Sequence, residues 1–149
     1  MTQKLRDGDK LAIRIDHGED LFGTLYRVAA EESVHAGFVV SGVGMLRASR
    51  IGYFHGDRYE QRTIEEPREL VSLSGNIATV DGKPHAHIHV ALAGRDHQVV
   101  GGHLFQATVQ VVNEILVMVF PGRVFERRAK GPILRELDVC PEATTGSHL

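Results

Sequence analysis

The sequence is poor in cysteine, in long apolar runs and in net charge. Its 149 residues include one cysteine, Cys140, and no tryptophan. A single cysteine excludes an internal disulfide and is typical of a reducing cytoplasm. The N-terminal stretch lacks the apolar segment of a secretory signal. The longest strongly apolar run, residues 115–120, is far too short to cross a bilayer. We therefore expect a cytoplasmic protein with no membrane partner.

The chain also lacks the basic excess that is typical of a dedicated DNA-binding domain. Its formal net charge is −2, with 17 Lys and Arg against 19 Asp and Glu. A loose basic cluster near the C-terminus is diluted by two glutamates and is interpreted as a solvated face that could contact an anionic partner. Its members are Arg123, Arg127, Arg128, Lys130 and Arg135. Global charge therefore gives no sign of a nucleic-acid partner.

Length and composition fit one globular domain, which we place at residues 1–142, with a tail at 143–149. Leucine, valine and alanine recur at helical spacing after residue 20, and this predicts one helix. Most of the remainder reads as strands: residues 10–15, 38–46, 49–54, 59–64 and 70–80, then a run over 108–120 that is split at Asn113 and Glu114. We expect the strand over 70–80 to be bent or bulged at Gly75. The prediction is a mostly antiparallel sheet with one helix.

Three histidines alternate along one short run, and a fourth follows a glycine pair. The run is Pro84-His85-Ala86-His87-Ile88-His89-Val90, and the pair is Gly101-Gly102-His103. Asp81-Gly82, just before the run, is a strong signal for a tight hairpin turn. In a strand the histidines share one face, and the aliphatic residues share the other. A helix would also bring His85 and His89 together, but the hairpin signal and the unbroken alternation favour a strand.

One-faced histidines favour a metal site, because neutral imidazole is a common ligand for zinc and related ions. His87 and His89 lie within reach of one ion, and His103 could complete the set from a neighbouring strand. The alternative is that these histidines line a wet strand face or a subunit interface. Three imidazoles with a fourth position free resemble an open, catalytic-type zinc site. Glu114 and Glu126 are the carboxylates that follow the site in mainly apolar segments, but as ordinary surface or salt-bridged residues they need no catalytic role.

In these motifs the chain resembles the plant and prokaryote conserved domain, also called the PPC domain or DUF296. The resemblance covers roughly residues 8–138 and runs through segments 41–44, 51–53, 70–77, 81–84, 87–89 and 99–104. It implies an α/β (α+β) domain with a curved, mostly antiparallel sheet and one main helix, assembled as a homotrimer. It also implies a metal, zinc by preference, on His87, His89 and His103. His85 is not part of the shared pattern.

The resemblance leaves two kinds of function open. Bacterial members are often labelled DNA-binding by analogy with plant relatives, which carry a separate Arg-Gly-Arg-Pro hook that this chain lacks. The fold is also similar to that of acetolactate decarboxylase, a zinc enzyme with a His-x-His ligand pair, although a fold alone does not transfer function. We therefore expect a metal-binding, DNA-binding or regulatory module. The alternative is a zinc-dependent lyase or hydrolase that acts on a small carboxylate or oxo metabolite.

Overall fold

The computed structural model describes residues 1–140, and within that range it contains nine strands and one helix. The elements are β1 (Gln3–Asp7), β2 (Lys10–Asp16), α1 (Leu21–Glu31), β3 (Gly37–Phe54), β4 (Tyr59–Ile64), β5 (Arg68–Val80), β6 (Lys83–Ala93), β7 (Val99–Val119), β8 (Glu126–Lys130) and β9 (Leu134–Asp138). The tail expected at residues 143–149 lies outside the described residues.

Four of the strands pair in a closed ring. β3 pairs with β5 and β7, and β6 also pairs with both β5 and β7, each time antiparallel. A flat sheet cannot make this set of pairings, so the sheet is strongly curved. β1 and β2 extend it beyond β7, β4 pairs with β3, and the β8–β9 hairpin joins β5 through one parallel bridge. The predicted fold class, a curved and mostly antiparallel sheet with one helix, is confirmed.

The helix begins at Leu21, in the segment that the sequence predicts, and one of its sides is buried. Asp20 caps it by accepting a hydrogen bond from the Gly23 backbone N–H at 2.6 Å. Its buried side is formed by Leu21, Leu25, Val28 and Ala29. These residues belong to one core with the apolar face of β6, and α1 packs against β6 and β7. The helix thus lies on the side of β6 opposite to the histidines.

The hairpin before the histidines is formed as predicted. Asp81 and Gly82 have φ of 50° and 75°, and Val80 pairs with Lys83 directly across the turn. Of the predicted bend or bulge at Gly75, the bulge is absent, because the register shift between β5 and β6 falls between Leu70 and Ser72. Gly75 is required by a close approach instead: a Cβ there would lie 1.8 Å from the carbonyl oxygen of His87.

Two predicted strand breaks are continuous strands with bulges. The segments at 38–46 and 49–54 form one strand, β3, whose register against β7 shifts around Ala48, a residue with φ of 47°. The predicted run over 108–120 is likewise unbroken over residues 108–119, which lie within β7. Asn113 is fully buried there and donates from Nδ2 to the carbonyl of Met45 at 2.9 Å. A bulge absorbs an extra residue without ending the ladder. A strand can therefore continue through a short irregular or polar segment that resembles a strand end in the sequence.

No helix among the described residues has the length and apolar character needed to span a membrane.

Candidate metal centre

The strand pairing brings three histidines from two strands to one point. His89 of β6 and His103 of β7 are direct partners in register, and His87 lies two residues before His89 on the same face. The ring centroids of the three lie 4.8–5.4 Å apart. Each ring offers a nitrogen, and the three nitrogens lie within 4.8 Å of one another. The structure therefore assembles the three residues that the sequence singles out.

The glycine pair before His103 explains how this register is reached. Gly101 lies opposite Ala91, and a Cβ on Gly101 would be 2.4 Å from the carbonyl oxygen of Val90. Gly102 has φ of 154°, and its Cβ would be 2.7 Å from the carbonyl oxygen of Gly52. Side chains at either position would push β7 away from β6 or β3. The pair thus lets β7 approach both neighbours and places His103 beside His89.

The donor set fits a divalent first-row metal. The Nε2 atoms of His87 and His89 are 3.1 Å apart. Two nitrogens bound to one tetrahedral zinc at about 2.0–2.1 Å would be about 3.3 Å apart. The Nδ1 atom of His103 is buried and has no hydrogen-bond partner among the described residues. A bound cation is one group that would engage this ring.

The electrostatics of the site keep two of the rings neutral. Burial and the neighbouring Arg127 lower the pKa of His87 to about 4. Burial, followed by the charges of His89 and Arg127, lowers the pKa of His103 to about 4. Both imidazoles are therefore neutral near pH 7, the form in which histidine binds a metal.

The cluster has an aromatic side and a cationic side. At His103, the rings of Tyr59 and Phe105 lie 5.1 and 4.4 Å away between centroids. At His87, the Nη2 atom of Arg127 donates to Nδ1 at 2.8 Å. Arg127 is a buried residue of β8. The cluster is thus flanked by a guanidinium at His87 and by two aromatic rings at His103.

The structure does not bring the two candidate carboxylates to the cluster. Glu114 pairs with Arg14 and Val43 and lines a surface cavity with β1 and β2 residues. Glu126 precedes Arg127, but successive strand residues face opposite sides, and its carboxylate accepts from Arg128 at 3.1 Å. Among the described residues, the cluster of His87, His89 and His103 that could hold a metal contains no carboxylate.

Sequence reasoning missed Arg127, which it placed in a solvated basic face. A signal was available. Phe125 is apolar and stands two residues before Arg127, so in a strand the two side chains would share a face, and both residues are buried. The rest of the basic cluster behaves as expected: Arg128 pairs with Glu126 and Asp138, and Lys130 pairs with Glu136.

Comparison with known proteins agrees with this architecture. Residues 2–121 match the sequence profile of the Plants and Prokaryotes Conserved (PCC) domain. The chain belongs to the PCC domain family. Among solved structures, the chain is 37% identical to a metal-containing protein from Archaeoglobus fulgidus, over 85% of this chain and 89% of that one, with a TM-score of 0.76. It is 30% identical to a plant- and prokaryote-conserved protein from Pyrococcus horikoshii, over 88% and 90% of the two chains, with a TM-score of 0.77.

A solved structure of lower sequence identity and a curated protein also match the chain. A candidate DNA-binding protein from Bacteroides thetaiotaomicron shares the fold with a TM-score of 0.85, at 21% identity over 93% of this chain and 98% of that one. Among curated proteins, the bifunctional protein GlmU of a Synechococcus strain is 35% identical over 92 residues, which are 62% of this chain. The chain spans 14% of the length of the curated relatives that it matches.

Proposed function

We propose that this PCC-domain chain is a zinc-binding protein that holds one ion through His87, His89 and His103 and offers the open position to a small carboxylate or oxo ligand. The observation that carries the proposal is the convergence of three ring nitrogens within 4.8 Å, with neutral rings at His87 and His103. Three protein ligands leave a fourth position for a ligand. The metal content of the Archaeoglobus fulgidus relative supports the same assignment.

Elemental analysis tests the metal directly. The protein is stripped with a chelator, offered zinc, and dialysed beside two variants. His87→Ala removes a predicted ligand. His35→Ala removes an exposed histidine outside the cluster and serves as the control. We expect about one zinc per chain in the wild type and the control, and none in His87→Ala. Equal zinc in all three samples, or none in any, would contradict the proposal.

A zinc-dependent lyase or hydrolase activity needs more than the ion. Such chemistry calls for a general acid or base beside the bound ligand, and the carboxylates considered above lie elsewhere. The polar side chains of Tyr59 and Arg127 lie against the histidine cluster. We therefore propose ligand binding at the metal as the function, with catalysis as the alternative that turnover of small carboxylates would reveal.

DNA binding is the second candidate, favoured by the Bacteroides thetaiotaomicron structure, which is named for it. The charge of this chain argues against DNA binding. The net charge is −2, and basic side chains of the β8–β9 hairpin form ion pairs with carboxylates of the same hairpin. A DNA-binding module should show affinity for duplex DNA that falls steeply with salt. We expect fluorescence anisotropy at low salt to show no such binding. A strong, salt-sensitive signal would restore the candidate.

A homotrimer is the proposed assembly, with three taken from the family resemblance. Support comes from an exposed apolar strip on the outer face of β3 and β7, where Phe38, Val40, Leu116 and Met118 are 39–49% exposed. Phe38 and Met118 are direct partners in register. Contiguous apolar surface of this kind is typical of a subunit interface. Light scattering should give three chains for the wild type and one for Met118→Glu.

The location of the protein in the cytoplasm stays a prediction.

A further inference from the structure

Arg127 reaches the histidine cluster from outside the segment that matches the family. That match ends at residue 121, whereas Arg127 lies on β8. Its side chain is 8% exposed. Nη2 donates to Nδ1 of His87 at 2.8 Å and to Oδ1 of Asn76 at 2.9 Å, and Nη1 donates to the carbonyl of Arg135 at 3.3 Å. A buried cation is thus attached to one of the proposed metal ligands.

This contact fixes where the proton of His87 lies. A guanidinium only donates hydrogen bonds, so Nδ1 of His87 accepts, and the proton of the neutral ring is on Nε2. Nε2 lies 3.1 Å from Nε2 of His89, to which it donates. Arg127, His87 and His89 therefore form a directed chain of hydrogen bonds. Turning the His87 ring by half a rotation would place carbon atoms against both partners, so the chain itself selects this orientation.

The same contact is incompatible with a metal on His87. Nε2, the atom that faces His89, has a free lone pair only when the proton of the neutral ring is on Nδ1. An N–H on Nδ1 and an N–H of Arg127 cannot share a 2.8 Å contact. A metal-bound imidazole usually donates its second N–H to an acceptor. Asn76, which is paired with His87 in register, carries such an acceptor within the network.

We propose that Arg127 and the metal compete for His87, so that Arg127 leaves this ring when the metal binds and then holds the anionic group of the ligand. The inference rests on the proposed metal site. Charge balance supports it. Neutral imidazoles add no negative charge, and the cluster has no carboxylate among the described residues. A divalent cation beside a guanidinium therefore needs an anion, and the planar fork of arginine matches a carboxylate.

The first test uses the wild-type chain and reads the ring nitrogens of His87 by long-range ¹H–¹⁵N NMR. We expect the proton on Nε2 in the metal-free protein and on Nδ1 in the zinc-loaded protein. A proton on Nδ1 in both states would overturn the proposal, because Arg127 would never have occupied that nitrogen. Failure of the wild type to bind zinc at all would instead overturn the proposed function, and this inference with it, while the metal-free tautomer would still report on the hydrogen-bond chain.

The second test compares Arg127→Met with Arg128→Met, whose arginine is exposed and pairs with Glu126 and Asp138. Without a carboxylate buffer, Arg127→Met should bind zinc about tenfold more tightly than the wild type, because one charge-assisted hydrogen bond no longer competes. Unchanged or weaker zinc binding would overturn the competition, since an arginine that merely positions His87 would help the metal.

The anion is probed with acetate, followed through the visible bands of the cobalt-loaded protein. Acetate should bind Arg127→Met at least about tenfold more weakly than the wild type or Arg128→Met. Equal acetate affinity in all three would overturn the anchoring role. If Arg127→Met does not fold, the NMR measurement on the wild type decides the competition by itself.

Discussion

Gly75→Ala should damage both the stability of the chain and its metal site. The added carbon would lie 1.8 Å from the carbonyl oxygen of His87 and 3.0 Å from Cα of Ile88. Ordinary contact needs about 3.5 Å, so β6 would have to retreat from β5 by about 1.7 Å at this point. That movement breaks the two or three ladder hydrogen bonds nearest to the residue. At about 1 kcal/mol each, the free energy of unfolding falls by about 2–3 kcal/mol.

For a chain of this size, that loss lowers the melting temperature by about 6–9 °C. Circular dichroism melts measure it, and zinc titration of the same variant should show weaker binding, because His87 and His89 flank the displaced Ile88. Gly8→Ala is the matched control. Gly8 has φ of +61° but no neighbour within 4 Å, so alanine there adds backbone strain of about 1 kcal/mol and leaves zinc binding unchanged. A Gly75→Ala protein with wild-type melting temperature and zinc affinity would refute the close-approach argument.

Other perturbations separate the site from the scaffold. Asp20→Ala removes the helix cap that accepts from the Gly23 N–H, and should lower the free energy of unfolding by about 1 kcal/mol and the melting temperature by about 3 °C. Zinc content should not change, because the helix cap lies outside the histidine cluster. Loss of zinc from this variant would contradict that independence. For the metal-free protein, the pKa values of His87 and His103 are about 4, below the ordinary 6.5. The folded state therefore binds fewer protons than the unfolded chain between these values, and the free energy of unfolding should fall as pH drops from 6.5 towards 4. Urea unfolding measured across that pH range checks this prediction. The free energy of unfolding should fall less steeply with pH in His87→Gln than in the wild type.

Strong local signals predicted the parts of the fold that position the histidines. The Asp81-Gly82 turn sets the register of the β5–β6 hairpin, and alternation along β6 separates the three histidines from the buried aliphatic residues. The helical spacing of apolar residues after residue 20 predicted α1. Each of these features lies within a few residues of its signal, so the sequence is sufficient to find it.

Features that depend on distant partners escaped sequence reasoning. β3 and β7 continue through the bulges at Ala48 and near Asn113, because the two strands stay paired with each other on both sides of each bulge. The sequence around either bulge does not reveal that partner. β1 and the β8–β9 hairpin are polar and charged and were not predicted as strands. Arg127 was therefore left on a solvated face, although the fold buries it against His87. The three histidines stand in two short motifs that the sequence displays, whereas Arg127 reaches them only through the topology of the sheet.

The most direct test of the metal centre is a crystal structure of the zinc-loaded protein with anomalous diffraction at the zinc edge. We expect one anomalous peak per chain, about 2.0–2.1 Å from a nitrogen of each of His87, His89 and His103. A peak bound elsewhere, or a zinc-soaked crystal with no peak at these three rings, would contradict it.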